Sequence, residues 1–173
     1  MVDIIIELTS GTEREIATKE QLLALLKKYD LRKWFFTKHI RIDETAAISY
    51  SHPVLTLNTR PRPEPVLLAT FIHEQLHWFV SERFPQAKAA MTELRTLHPQ
   101  VPVGRPQGAR DAHSTYLPLI ICYLEYRALA ELLGEDEATK VLATLPYYQW
   151  IYRTVRTDAA RIGDIIERYK LVP

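Results

Sequence analysis

The sequence predicts an α+β fold, a small N-terminal β-sheet packed on a mainly helical remainder. Three observations carry that expectation. Short β-branched or alternating runs bounded by turn residues are confined to roughly the first 60 positions. From Val66 onward, long apolar segments punctuated by Pro and Gly read as helices. The length, 173 residues with 47% hydrophobic and 25% charged, suits one domain with a substantial core, taken as residues 1–173.

The elements follow in order. Ile4-Ile5-Ile6 with Leu8 reads as a strand that ends at the Thr9-Ser10-Gly11-Thr12 turn. A helix is expected from Thr18 to Tyr29, with Thr18 as cap, Gln21 at the capping-box position and Leu22, Leu23, Leu25 and Leu26 as its core stripe. Trp34, Phe35 and Phe36 supply aromatic core, and His39–Asp43 alternates like a strand. Ser49–Asn58 reads as another strand, with Pro53 suited to a sheet edge. Arg60–Pro65 is a stiff turn, and a buried helix is expected over about 65–84, stopped by Pro85. A second helix covers Ala87–Leu97, and the Pro/Gly-rich stretch 98–108 is irregular. The next helix ends at Gly134 and should begin near Thr115–Leu117, because Pro118 is tolerated only in a first turn. Helical segments over Glu135–Leu145 and Tyr147–Lys170 complete the chain.

Composition excludes several function classes. Twenty-two basic and 21 acidic residues give a net charge of +1, neither a nucleic-acid footprint nor a polybasic membrane anchor. No apolar run approaches the ~20 residues needed to span a bilayer. The segment Met1–Glu7 does not read as a signal peptide, since an acid stands at position 3, and a cytoplasmic location is expected. The single cysteine, Cys122, allows no intrachain disulfide, and its apolar helical setting reads as core. A metal is therefore expected on His and carboxylate side chains.

The chemistry concentrates in His73-Glu74-Gln75-Leu76-His77. Residues four apart share one helix face, about 6 Å apart in rise, so His73 and His77 can offer imidazoles to one ion. Glu74 follows His73 by about 100° of turn, from which its carboxylate can reach a water on that metal. Around them, Thr70–Phe79 carries no charge other than Glu74, and a charge in such a setting needs a reason.

These residues resemble the HExxH zinc metallopeptidases, or zincins. The longer pattern has Val or Thr three positions before the first His, uncharged residues at flanking and intervening positions, and an apolar residue two after the second His. Thr70, Phe71, Gln75, Leu76, Trp78 and Phe79 meet it. The resemblance covers about ten residues. It implies zinc bound by His73 and His77, a general-base role for Glu74, and a peptide or protein substrate.

For the third ligand, Glu125 lies on a helix whose same-face neighbours, Ile121, Cys122, Ala128, Leu129 and Leu132, are apolar. An isolated carboxylate there is costly unless paired or bound to an ion. Glu125-Tyr126-Arg127-Ala128 is similar to the Glu-x-x-Ala of several gluzincins, although Leu129 stands where many carry Asp. His113, Asp111 and Glu131 remain alternatives. His113 is also a candidate for holding the developing oxyanion, as are Tyr116, Tyr148, Tyr152 and Arg153. Two further expectations rest on position alone: a strand within 54–58 that accepts an extended peptide at its edge, and the 98–110 loop as a lid or substrate lip. The alternative function is a metal-binding interaction or regulatory module without general proteolysis.

Overall fold

The computed structural model describes residues 4–173; Met1–Asp3, on which part of the N-terminal reading falls, lie outside the described residues. The α+β class is as expected: the described residues form a three-stranded parallel sheet and seven α-helices. The chain packs as two compact units, one ending at Phe79 and the other running from Val80 to Pro173.

The first unit holds β1 (Ile5–Leu8), α1 (Glu13–Lys28), β2 (His39–Asp43), β3 (Leu55–Asn58) and most of α2 (Glu64–Glu82). The strands lie in the order β1-β2-β3, with Ile6 opposite Ile40 and Ile40 opposite Leu55. Helix α1 starts earlier than Thr18, because Thr12 and Glu15 supply a stronger start. The Thr12 hydroxyl accepts the Glu15 N–H at 3.4 Å, while the Glu15 carboxylate accepts the N–H groups of Ser10 and Gly11 at 2.9 and 2.7 Å. Thr18 sits inside the helix, and Gln21 donates instead to the Arg62 carbonyl. Of the four leucines only Leu22 and Leu25 are fully buried, and Leu23 is exposed.

Strand β3 is shorter than the expected Ser49–Asn58. Tyr50 folds back to exchange two backbone hydrogen bonds with Thr56, at 2.9 and 2.8 Å, and the Ser49 hydroxyl accepts the Asn58 N–H. Pro53, which has no N–H to give a ladder, falls in the bend before β3. The chain's own residues 49–50 thus cover the outer edge of β3.

In the second unit, α3 (Phe84–Leu97), α5 (Glu135–Ala143), α6 (Gln149–Thr157) and α7 (Ala159–Arg168) all touch α4 (Ala112–Leu133). Pro85, expected as a stop, opens α3 in its first turn, where its missing N–H costs nothing. Helix α4 also begins before Thr115. Asp111 accepts the Ser114 N–H at 2.7 Å and the Ser114 hydroxyl accepts the Asp111 N–H at 3.1 Å, a reciprocal capping box that outweighs Pro118 inside the helix. The expected segment Tyr147–Lys170 is two helices, broken at Asp158, whose carboxylate pairs with Arg161 at 3.5 Å and lies 3.2 Å from His98 Nε2. Among the described residues, no helix is long and apolar enough to cross a membrane.

Candidate metal centre

Helix α2 holds its histidines on a frame of buried contacts. Gln75, fully buried, accepts the N–H groups of Phe36 and Thr37 at 2.7 and 2.8 Å and donates to the Thr37 carbonyl at 2.9 Å. Leu76 is also fully buried, and Trp78 donates its indole N–H to the Ser51 carbonyl at 2.8 Å. His52 stacks on Trp78 with ring centroids 4.3 Å apart. The positions between the histidines therefore fix the rotation of the helix about its axis.

That rotation leaves His73 and Glu74 at the margin of burial, at 9% and 8% exposure, with His77 half-buried. The His73 and His77 rings lie edge to face, with centroids 5.1 Å apart. Burial first, then the neighbouring His73 and His52, pushes the His77 pKa down to about 3. His77 is accordingly neutral at pH 7, the form in which an imidazole nitrogen binds metal.

Helix α4 supplies the carboxylate. Glu125 is 1% exposed, and the Tyr152 hydroxyl on α6 donates to its Oε2 at 2.9 Å. Cys122, one turn earlier on the same helix face, is fully buried. Burial foremost, then the Cys122 and Glu125 charges, raises the Tyr152 phenol well above its ordinary value, so it stays protonated and donates. Ligand atoms of His73, Cys122 and Glu125 all lie within 4.8 Å of one another. This donor set, one imidazole, one thiol and one carboxylate, matches the chemistry that zinc accepts.

The expected set was His73, His77 and Glu125. His73 and Glu125 come together; His77 lies beside His73 but outside the group of three, and Cys122 takes part in it instead. The core reading of Cys122 holds for its burial, yet it overlooked that a single cysteine can still supply one ligand. Its spacing of three from Glu125 was the available signal.

His113 is not brought to this group. It is exposed at the start of α4, where Arg95 donates to its Nδ1 at 2.7 Å. It stands twelve residues from Glu125 on one unbroken helix, about 18 Å along the axis. Asp111 is engaged as the α4 cap. Among the tyrosines, Tyr116 donates to the His98 carbonyl at 2.8 Å, and Arg153 is exposed.

The 98–111 loop is tied down within its own unit. The N–H groups of Gln149 and Trp150 donate to the Pro106 and Gln107 carbonyls, at 2.9 and 3.2 Å. A Cβ at Gly108 would meet the Pro102 carbonyl oxygen at 2.1 Å, so only glycine permits this closure.

Compared with known proteins, the chain matches no family model, no curated protein and no solved structure.

Proposed function

We propose that the chain is a zinc-dependent hydrolase of the metallopeptidase type, acting on a peptide or other amide bond in a cytoplasmic setting. The observation that carries this reading is the convergence of His73 and Glu125 ligand atoms beside a second, neutral imidazole, His77, on the helix that also bears Glu74. In this reading His73, His77 and Glu125 hold the ion. When bound, zinc supplies the Lewis acidity that makes a neighbouring water a proton donor near neutral pH. Glu74, one residue beyond His73, takes that proton as the water attacks the carbonyl carbon, and later returns it to the leaving amine. His113, remote from Glu125, has no part in the reaction.

Elemental analysis of purified protein, paired with cleavage of a mixed peptide library read by mass spectrometry, tests the reading. Wild type and Glu74→Gln should each carry about one zinc per chain, with turnover in Glu74→Gln lower by 10² or more. His73→Ala should lose the metal, and His113→Ala should keep both metal and turnover. A wild-type chain without zinc, or a Glu74→Gln variant with full turnover, sinks the hydrolase.

One observation favours a second reading, a metal-binding module without general proteolysis. If the Cys122 thiolate joins His73, His77 and Glu125, four protein ligands close the coordination shell, the arrangement of a structural rather than a catalytic zinc site. The covered outer edge of β3 also removes that place for a peptide to add as a strand. Cobalt-substituted protein separates the two: intense thiolate-to-cobalt absorption, lost in Cys122→Ser, belongs to the closed site.

A further inference from the structure

We propose that Tyr152 is the positioning residue for the metal-binding carboxylate, fixing the orientation of Glu125 from α6. The inference rests on the proposed role of Glu125 as a ligand. The terminal torsion of a glutamate is broad, so a buried carboxylate needs a hydrogen-bond donor to set its orientation. The Tyr152 hydroxyl, 2.9 Å from Glu125 Oε2 and 4% exposed, supplies one. The phenol O–H is directed at that oxygen and donates to it. Its proton is committed to the carboxylate, which removes Tyr152 from the candidates for oxyanion stabilisation.

The placement of Tyr152 is itself built in. Tyr148, before α6, takes a left-handed backbone conformation at φ 54°, a region that disfavours a non-glycine residue. The Tyr148 carbonyl accepts the Tyr152 N–H at 2.9 Å, and the Gln149 and Trp150 N–H groups donate to the Pro106 and Gln107 carbonyls of the 98–111 loop. Gln107 and Gln149 add a side-chain hydrogen bond at 3.1 Å. Loop and helix start together set the phase of α6, which turns residue 152 toward α4. This gives the loop a role as a brace.

The test is a double-mutant cycle on metal affinity, using zinc in competition with a chromophoric chelator. Tyr152→Phe, which removes one oxygen and keeps the ring, should weaken zinc binding 10- to 100-fold. In a Glu125→Ala background the same change should alter affinity less than twofold, because the residue it acts through is gone. A general packing role would cost the same in both backgrounds. Tyr152→Phe binding within twofold of wild type overturns the positioning role while leaving the metal site standing. A wild-type chain that binds no zinc overturns both. Should Tyr152→Phe fail to fold, zinc added to wild type should shift the tyrosine absorption near 290 nm, and Glu125→Ala should abolish the shift. A wild-type spectrum that zinc leaves unchanged overturns the assignment.

Discussion

Among the described residues, Glu15 and Glu125 are the two most deeply buried glutamates, and they are buried for different reasons. Glu15, in the sheet-bearing unit, is 0% exposed, and its carboxylate is met by three backbone N–H groups, those of Ser10, Gly11 and Glu44. These donors belong to the turns that follow β1 and β2, so one side chain ties two loops to the start of α1. Glu125, in the helical unit, is 1% exposed and is met by a tyrosine hydroxyl, with Cys122 and His73 ligand atoms close by. Backbone donors account for the first carboxylate as architecture. The second is surrounded by side chains that bind metals, and architecture does not require them. A buried acid is informative about function only once its donors are known.

The largest expected effect falls on the structural member of the pair. Glu15→Ala strands three backbone N–H groups and loosens both turns, and should cost about 2–4 kcal/mol in denaturant unfolding. A loss under about 1 kcal/mol would mean that water satisfies those donors and that the comparison fails on its first side.

Acid should expose the next difference. Burial pushes the Glu15 carboxyl up, but the N–H groups of Ser10, Glu44 and Gly11 together bring it below its ordinary value. Its stabilising contribution is present above the unfolded-state pKa and disappears as pH falls through the folded one. His77 works in the same direction for another reason. With a folded pKa of about 3 against 6.5 unfolded, only the unfolded chain takes up its proton between those values. Metal-free protein should therefore lose up to about 1.4 kcal/mol per pH unit on acidification from 6.5. His77→Gln should flatten that upper segment and Glu15→Gln the segment below the ordinary carboxyl value of 4.5. Unfolding midpoints measured across pH 3–7 in chelator check both, and an unchanged slope in His77→Gln would contradict the buried neutral imidazole.

The smallest effect is expected at Glu125, where function and stability part. Replacing a buried charged group with an apolar one of similar volume is often neutral or stabilising. Glu125→Leu should weaken zinc binding severely yet leave the chelated protein within about 1 kcal/mol of wild type. A loss of several kcal/mol would make Glu125 as architectural as Glu15 and erase the contrast.

Much of this was legible in the sequence. Residues 39–43 alternate so regularly that β2 is found at its expected bounds, and Gly134 ends α4 where a positive φ of 86° is needed. The His73-to-His77 spacing fixes two rings on one helix face whatever surrounds them. Boundaries were less legible where two local signals compete. Asp111 with Ser114 outweighs Pro118, and Thr12 with Glu15 outweighs Thr18 with Gln21, because a cap that satisfies backbone donors outranks an unfavourable residue further in. The Tyr147–Lys170 segment breaks at Asp158, whose backbone leaves the helical region at φ −123° and ψ 27°.

The sequence by itself determined which residue types were available for chemistry: two imidazoles and a carboxylate in the otherwise uncharged stretch 70–79, and Glu125 on an apolar helix face. Local periodicity sets those neighbours, and no other part of the chain can change them. Only the tertiary structure decided which distant groups meet. It gave Glu125 a tyrosine donor 27 residues on, brought Cys122 among the candidate ligands, left His113 bonded to Arg95, and closed the outer edge of β3 with Tyr50. Those outcomes depend on how helices and strands pack, which is set by the fit of whole surfaces rather than by the spacing of any one motif.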